Sequence, residues 1–310
     1  MTTSLVTGGA GFIGSHIVRA LLERGDKVRI LDNFSTGKWE NVAALDVEII
    51  EGDIRDADAV AASLVDVDLV FHQAAFVSVP LSMQTPGACF DVNVRGTGSL
   101  LEAAREAGVR RVVLASSAAV YGDSEAMPLD EETPLNPMSP YAASKRINEI
   151  YAQLYTQSLD LDVTALRYFN VYGARQAPDT AYAAAVPIFI RRMLDGKPVT
   201  IYGDGGQTRD LIYVGDVVRA NLMAASSDAA AGKIFNICTG SETRILDLIN
   251  ALLEIFPNAP QPTFDEPRAG DIYRSVGSSL KAKEIFGFEA RTALLDGMKT
   301  TAEWMSEKDN

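Results

Sequence analysis

The glycine-rich turn at residues 7–14, Thr-Gly-Gly-Ala-Gly-Phe-Ile-Gly, is the feature that most constrains the fold of this chain. It follows a short apolar run, Ser4–Thr7, that predicts a strand, and it opens a helical pattern at Phe12–Arg24. Glycines allow a tight turn and let strand and helix approach closely, because no Cβ atom intervenes. The sequence therefore predicts that the chain begins with a strand, a tight turn and a helix that packs on a sheet.

The first half of the chain repeats this alternation of strand and helix. Short apolar runs predict strands at Lys27–Leu31, Val47–Glu51, Asp68–His72, Arg111–Ala115 and Val163–Arg167. Helical patterns lie between them at Asp56–Leu64, Thr85–Glu106 and Tyr141–Gln157. Continuous apolar strands that alternate with helices are buried on both faces, so we expect an α/β fold with a doubly wound parallel sheet of the Rossmann type.

The second half is punctuated by proline and glycine, for example at 203–206 and 257–262. This composition predicts a smaller α+β C-terminal lobe whose loops close over a ligand. A helix predicted at Asp216–Ala225 returns to the first lobe. The expected boundaries are 1–170 with 211–240 for the Rossmann domain, and 171–210 with 241–305 for the substrate lobe.

Composition excludes several classes of protein. A net charge of −13 argues against a general nucleic-acid surface, which needs basic residues. The two cysteines, Cys89 and Cys238, are too few for a disulfide framework or a zinc cluster, and we expect no metal site. No apolar run is long enough to span a bilayer, and no basic leader precedes the first strand. We therefore expect a cytoplasmic protein that does not associate with membranes.

Within the glycine-rich turn, Gly9, Gly11 and Gly14 match the pattern Gly-x-Gly-x-x-Gly that holds a dinucleotide pyrophosphate at a helix N-terminus. A turn without a ligand is the alternative, but this one lies between a strand and a helix. Asp32 ends the next strand, where a carboxylate accepts hydrogen bonds from a ribose 2′-hydroxyl and repels a 2′-phosphate. The sequence therefore predicts NAD, rather than NADP, as cofactor.

Two further segments are candidates for cofactor contacts. Asp53 and Ile54 follow the third strand, where they would lie near the adenine. Ala74 and Ala75 follow the fourth strand and are small, as backbone near a cofactor requires. A helix N-cap at Asp53 and ordinary packing of the two alanines are alternatives that the sequence leaves open.

Tyr141 and Lys145 lie four residues apart and therefore share one face of a predicted helix. A tyrosine with an ordinary pKa near 10 is a poor base at neutral pH, but an ammonium group beside it favours the phenolate. Ser117 lies near the end of the fifth strand and can donate a hydrogen bond to a substrate oxygen. A solvated surface pair is the alternative for the tyrosine and lysine. The serine and the glycine-rich turn favour proton transfer at an alcohol.

Taken together, and in their order along the chain, these motifs resemble those of the extended short-chain dehydrogenase/reductase superfamily. Within that superfamily they resemble the UDP-hexose 4-epimerases. The resemblance extends from Ser4 to about Trp304. It is carried by Thr7–Gly14, Asp32-Asn33, Asn93–Thr97, Ser116–Gly122, Tyr141–Lys145, Arg167–Gly173, Thr208–Asp210 and Arg268–Asp271.

The resemblance implies a set of site residues. The implied catalytic residues are Ser117, Tyr141 and Lys145. The implied NAD contacts are Gly8, Gly11, Phe12, Ile13, Gly14, Asp32, Asn33, Asp53, Ile54, Ala74, Ala75, Asn93, Ser116, Tyr141, Lys145 and Tyr168. The implied contacts with a UDP-sugar substrate are Ser78, Ser117, Tyr141, Asn170, Thr200, Tyr202, Arg209, Arg268, Asp271 and Ser275.

The reaction class depends on residues 117–119. Relatives that dehydrate a sugar carry Thr-Asp-Glu here, and relatives that decarboxylate a uronic acid carry Thr-Ser-Glu, whereas this chain has Ser117, Ala118 and Ala119. Methyl groups cannot move protons, so the resemblance implies oxidation and reduction at C4 alone, through a transient 4-keto sugar. We expect an isomerase that epimerises UDP-glucose and UDP-galactose. A UDP-glucuronate 4-epimerase, a nucleotide-sugar ketoreductase and a non-catalytic NAD-binding regulator stay open as alternatives.

The resemblance also bears on substrate breadth. Ser275 lies where the family has a residue that gates the sugar pocket, and a small serine leaves room for a 2-N-acetyl group. Phe76–Pro80 resembles the Ser-Val-Pro stretch of epimerases that act on N-acetylated sugars, although Leu81 stands where those enzymes often have arginine. We therefore expect UDP-N-acetylhexosamines as additional substrates.

A homodimer is the expected assembly. In the family, the helices at 85–106 and 141–157 would form a four-helix interface between two copies. Their apolar side chains, among them Leu100, Ile150 and Leu154, allow this packing. The alternative is that these faces only cover the sheet of their own chain.

Overall fold

A computed structural model describes residues 1–178, 185–267 and 272–307. The strands are β1 (Thr3–Thr7), β2 (Lys27–Asp32), β3 (Glu48–Glu51), β4 (Leu69–His72), β5 (Arg111–Ser117), β6 (Asp162–Tyr168), β7 (Asn170–Tyr172), β8 (Thr200–Tyr202), β9 (Thr208–Arg209), β10 (Leu211–Tyr213), β11 (Ile234–Ile237), β12 (Thr243–Arg244) and β13 (Thr263–Asp265). The α-helices are α1 (Phe12–Arg24), α2 (Ala57–Ser63), α3 (Val79–Gln84), α4 (Pro86–Phe90), α5 (Thr97–Glu106), α6 (Pro140–Ser158), α7 (Ala185–Leu194), α8 (Val214–Ser226), α9 (Ile245–Ile255), α10 (Leu280–Phe286) and α11 (Leu294–Glu307).

Seven strands form one parallel sheet in the order β11-β6-β5-β4-β1-β2-β3. Successive residues of β1 point to opposite faces. Val6 packs in a core with α1 and α8, whereas Leu5 packs in a second core with α2, α5 and α6. Helices therefore cover both faces, and the predicted doubly wound sheet is confirmed. For the strands and helices predicted in the first half, the observed ends lie within two residues of the predicted ends.

Beyond β6 the chain builds a smaller lobe around a third core. Side chains of α7, α9 and α11 pack there against Ile201 of β8. Three two-stranded sheets, β10-β7, β12-β9 and β13-β8, complete this part of the chain, which confirms the predicted smaller lobe. The helix α8 packs against α1, and β11 extends the large sheet beside β6. The residue numbers of the lobe boundaries stay a prediction.

The helix predicted at Thr85–Glu106 is present from Pro86 to Glu106, as α4, a π-helical turn at Asp91–Gly96 and α5. The sequence did not predict the π-helical turn, which makes a tertiary contact. Asn93 in its middle accepts a hydrogen bond from the Phe76 amide at 2.7 Å and donates to the Phe76 carbonyl at 3.0 Å. Such insertions frequently occur at functional sites.

None of the described helices combines the length and the apolar composition that crossing a membrane requires.

Candidate active site

The turn between β1 and α1 is built so closely that its glycines cannot be replaced without a shift. Gly8 has a φ of +67°, and a Cβ atom there would lie 2.7 Å from the backbone nitrogen of Ala74. A Cβ atom on Gly14 would lie 2.1 Å from the Gly8 carbonyl oxygen. Gly11, the N-cap residue of α1, has no side chain to bond the first-turn amides, which are left to a ligand. This cradle fits the pyrophosphate of NAD.

Asp32 lies at the end of β2 beside this turn. Its buried carboxylate accepts hydrogen bonds from the amides of Ala10 and Phe34, each at 2.9 Å. Burial raises the pKa of Asp32. Each carboxylate oxygen has a second lone pair, so the group can still accept a bond from a ribose hydroxyl. Asp32 therefore connects the glycine-rich turn to the loop that follows β2, in addition to its predicted contact with NAD.

Asn33 and Asp53, two of the predicted NAD contacts, lie together. The Asn33 amide donates to Asp53 at 2.8 Å, and Arg55 forms an ion pair with the same carboxylate at 2.8 Å. The Arg55 guanidinium holds the pKa of Asp53 well below its usual range. The alternative role of Asp53 as a helix N-cap is wrong, because Asp56 caps α2. Ile54, between these residues, is buried.

The predicted proton-transfer residues come together where α6 begins and β5 ends. Ser139 caps α6 by accepting a hydrogen bond from the Ala142 amide at 3.1 Å. Tyr141 and Lys145 lie on successive turns, with the lysine Nζ 5.8 Å from the centroid of the tyrosine ring. Lys145 also donates to the carbonyl oxygen of Ala115 on β5, at 2.8 Å.

Burial controls the charges of this pair. It raises the pKa of Tyr141, while a hydrogen bond with the Ser117 hydroxyl lowers it. Burial also lowers the pKa of Lys145 to about 8. The sequence predicts a lowered pKa for the phenol, but its net shift in the structure is upward, because surroundings of low polarity disfavour both charged forms.

Two other predicted cofactor contacts bond mainly within the protein. The Ser116 hydroxyl donates to the Glu149 carboxylate of α6 at 2.7 Å. The Tyr168 hydroxyl accepts a hydrogen bond from the Asn221 amide of α8 at 2.8 Å. Their direct contact with NAD stays a prediction. The same holds for Phe12 and Ile13 of α1, for Ala74 and Ala75 after β4, and for Asn93 in the π-helical turn. Ser78, whose hydroxyl caps α3, stays a predicted substrate contact.

A cavity of about 290 Å³ lies in the small lobe, lined by residues of β7, α7, β8 and β9. The predicted substrate contacts Asn170, Thr200, Tyr202 and Arg209 all line it. Arg192 of α7 lines it too, with its Nε bonded to the Pro198 carbonyl. The sequence analysis missed Arg192, because no motif marks it and only the packing of α7 aims it at the cavity.

The sheet connects this cavity to the proton-transfer residues. Ser117 of β5 lies opposite Tyr168 of β6, and Asn170 starts β7 immediately beyond that point. Ser275 is half-buried nearby, and its carbonyl oxygen accepts a hydrogen bond from the Asp210 amide at 2.8 Å. The predicted contacts Arg268 and Asp271 lie outside the described residues.

In the described parts of the chain, no group of three or more His, Cys, Asp or Glu side chains is arranged to hold a metal ion.

Comparison with known proteins shows a match to the model of the "NAD dependent epimerase/dehydratase family" over residues 4–238. The UDP-glucose 4-epimerase of Mycolicibacterium smegmatis is 41% identical to this chain, and the match covers 98% of this chain and 99% of that protein.

Three solved structures share the fold over nearly the whole chain. UDP-glucose 4-epimerase of Thermotoga maritima with UDP-glucose has a TM-score of 0.95 and 39% identity, covering 100% of both chains. UDP-N-acetylglucosamine 4-epimerase of Methanobrevibacter ruminantium with UDP-N-acetylmuramic acid has a TM-score of 0.95 and 37% identity, covering 99% of each. UDP-glucose 4-epimerase of Thermus thermophilus with NAD has a TM-score of 0.89 and 40% identity, covering 98% of this chain and 99% of the other.

Proposed function

The chain belongs to the NAD dependent epimerase/dehydratase family, and we propose that it inverts C4 of a UDP-hexose, with UDP-glucose and UDP-galactose as its main substrates. The observation that carries this proposal is the convergence of Tyr141, Lys145 and Ser117 beside the cavity, followed by Ala118 and Ala119. These side chains move one proton to and from one hydroxyl group. The similarity to UDP-glucose 4-epimerases over the whole chain supports the same reaction.

The proposed chemistry is a reversible proton transfer at the C4 oxygen. Tyr141 Oη, as phenolate, takes the proton of the C4 hydroxyl and later returns it. NAD, when bound, supplies a reversible acceptor for the C4 hydride. The Ser117 oxygen accepts a hydrogen bond from the Ala119 amide at 3.1 Å, and its hydroxyl also bonds Tyr141; with substrate bound, the Ser117 hydrogen turns to the sugar oxygen. Lys145, as ammonium, stabilises the phenolate.

The cavity holds the nucleotide while the 4-keto sugar turns. We place the diphosphate on Arg209 and Asn170, because a guanidinium donates two hydrogen bonds to phosphate oxygens. The uracil then lies along β8, against Thr200 and Tyr202. Because the nucleotide is held away from C4, the sugar can turn, and either of its faces can meet the same catalytic residues.

UDP-N-acetylhexosamines are proposed as further substrates. The support is the small side chain at Ser275 together with the similarity to the M. ruminantium UDP-N-acetylglucosamine 4-epimerase. The hydrogen bond between the Asp210 amide and Ser275 uses the backbone carbonyl of Ser275, so a change of its side chain leaves this bond in place.

A second copy of this chain is the proposed partner of the exposed faces of α4 and α6. Phe90 is 49% exposed, Ile150 47% and Leu154 45%. By contrast, Leu100 of α5 is fully buried against the sheet of its own chain. Of the two roles that the sequence left open, α5 therefore covers the sheet, and α6 offers an apolar surface to a partner.

Product analysis tests the proposed function. Purified protein is incubated with UDP-glucose, UDP-N-acetylglucosamine and UDP-glucuronate, each at matched concentration, and the C4 epimers are separated by chromatography. We expect UDP-galactose from UDP-glucose, bound NAD in the absorbance spectrum, and no free NADH. Stoichiometric release of NADH, or conversion of UDP-glucuronate alone, contradicts the proposal.

A further inference from the structure

A charged pair lies fully buried behind the proposed proton-transfer residues. Glu149 is 0% exposed and Arg167 is 2% exposed. The Arg167 Nε and Nη2 donate to the two carboxylate oxygens at 2.7 and 2.9 Å, and its Nη1 donates to the Tyr121 hydroxyl at 2.7 Å. Removing two charges from water is costly, and an apolar pair of similar volume is often as stable. A contribution to the free energy of unfolding therefore does not by itself explain why this ion pair is present.

The pair is connected to the strand that carries the site. Three consecutive residues of β5 contact three residues of α6 that are spaced by four and so share one helix face. The contacts are Ala115 with Lys145, Ser116 with Glu149, and Ser117 with Tyr141. Glu149 thus lies in one row along α6 with Tyr141 and Lys145, the proposed acid–base pair.

Glu149 also sets the charge around Lys145. The groups that face this lysine are Tyr141 and Glu149 of its own helix, Cys89 of α4 and His72 of β4. Burial lowers the pKa of His72 to about 3 and raises the pKa of Cys89, so both are neutral near pH 7. Burial lowers the pKa of Lys145, whereas Cys89 and Glu149 raise it. Because the Cys89 thiol is neutral near pH 7, Glu149 supplies the negative charge among these groups, and its carboxylate is itself paired with Arg167 at 2.7 Å and with Arg146 at 3.2 Å.

We propose that Glu149 is a positioning residue that keeps Lys145 in its ammonium form and fixes α6 against β5. This inference rests on the proposed function, since it concerns the same proton transfer. In the active form, Tyr141 and Lys145 share one proton, either as phenolate with ammonium or as phenol with amine. Glu149 lies one helical turn from the lysine and two from the tyrosine, so its charge favours the first arrangement.

Glu149→Gln tests the inference, because it keeps the shape and removes the charge. We expect kcat at the optimum to fall roughly tenfold, as for a coupling of one pKa unit, with little change in KM. The whole pH profile of kcat moves to lower pH. Without the carboxylate charge, both the first and the second proton leave the Tyr141–Lys145 pair more easily. Glu149→Asp keeps the charge and leaves the profile in place. An unshifted profile in Glu149→Gln overturns the proposal.

Asp162→Asn is the matched control. Asp162 of β6 lies opposite Arg111 at the start of β5, whereas Arg167 lies opposite Ser116 near the end of the same two strands. There the buried guanidinium of Arg111 pairs with Asp162 and Asp228, each at 2.9 Å. The control also deprives a buried arginine of a partner, so it lowers stability, but it leaves the pH profile unchanged. An equal shift of the profile in this control contradicts a specific role for Glu149.

The double variant Glu149→Gln/Arg167→Met removes both charges of the buried pair. It is used in place of Glu149→Gln if that single variant fails to fold. A merely structural pair predicts recovery of kcat, whereas our proposal predicts that kcat stays low. The phenolate absorbance of Tyr141 is titrated in the wild-type and Glu149→Gln backgrounds, and the absorbance of the matching Tyr141→Phe variant is subtracted in each. This titration needs no sugar substrate. We expect the first titration step to give a smaller rise in phenolate absorbance in the Glu149→Gln background. This readout separates failure of the inference from failure of the proposed substrate, and an unchanged first step overturns the inference.

Discussion

Gly37 lies against the carboxylate of Asp32, so close that a Cβ atom at Gly37 would come within 2.8 Å of Oδ1. The same carboxylate bonds the amides of Ala10 and Phe34. The loop after β2 therefore folds back over Asp32, and its position and that of the glycine-rich turn depend on one side chain.

We expect Gly37→Ala to weaken NAD binding about ten- to a hundred-fold, because overpacking of this size costs about 1–3 kcal/mol. The added methyl group displaces the Asp32 carboxylate or the loop, and either shift moves the group that we propose as the ribose contact. Equilibrium binding of NAD to cofactor-stripped protein measures the effect. Gly98→Ala is the control, since a Cβ atom there has open space. Equal affinity in the two variants contradicts this role of the contact.

Tyr141→Phe is expected to lower kcat by about a hundred-fold or more, because the phenol oxygen carries the proton and the ring remains. The thermal unfolding midpoint should change little. Tyr155→Phe on the same helix is the control, since that hydroxyl bonds Glu102 at 3.1 Å and lies away from the site. Steady-state rates of UDP-hexose interconversion compare the two. Full activity in Tyr141→Phe removes the phenol from the mechanism.

The sequence predicts those parts of the fold that local chemistry determines. The helix α1 has the predicted bounds, Phe12–Arg24, because glycine flanks both ends and the apolar spacing is regular. The spacing of Tyr141 and Lys145 likewise predicts their shared helix face. Such features depend on neighbours in the chain, so one sequence is enough to reveal them.

Features that depend on distant contacts were missed. The π-helical turn contains Asn93, whose side chain bonds Phe76, seventeen positions away in sequence and outside any helical pattern. Glu149 is visible as a residue one turn beyond Lys145, but its partner Arg167 belongs to another strand. The upward pKa shift of Tyr141 follows from burial, which spacing alone does not reveal.

Ser275→Tyr should lower the rate on UDP-N-acetylglucosamine relative to UDP-glucose by about tenfold or more, because one added group in a pocket changes discrimination by that order. The fold should tolerate the change, since the structural contact of Ser275 is made by its carbonyl oxygen. Competition between the two substrates measures the ratio. Ser275→Ala keeps the space and serves as the control. An unchanged ratio in the tyrosine variant dismisses the proposed gate.

Leu154→Arg is expected to convert a dimer into a monomer, because it puts an unpaired charge into the apolar face of α6. Sedimentation velocity at several protein concentrations measures the association state. Leu280→Arg is the control, because Leu280 is also exposed but lies on α10. A wild-type chain that sediments as a monomer contradicts the proposed partner. Dimers that persist in Leu154→Arg place the interface elsewhere.

His72 makes the stability of the fold depend on pH. It is buried at the end of β4, with Nδ1 2.7 Å from the Thr7 hydroxyl and Nε2 2.9 Å from the Thr97 hydroxyl. Burial lowers its pKa from 6.5 to about 3. Between these values the unfolded chain binds a proton that the folded chain does not. The free energy of unfolding therefore falls with decreasing pH, and this contribution is fully present only above pH 6.5.

The contribution of His72 amounts to about 1.4 kcal/mol for each pH unit below 6.5. His72→Gln keeps hydrogen-bonding groups for the two threonines but does not titrate, so its unfolding free energy should depend less on pH. Denaturant unfolding at pH 7, 6 and 5 measures both proteins, and other titrating groups, including His16, contribute equally to each. The two curves should converge as the pH falls. Curves that stay parallel show that His72 does not carry this dependence.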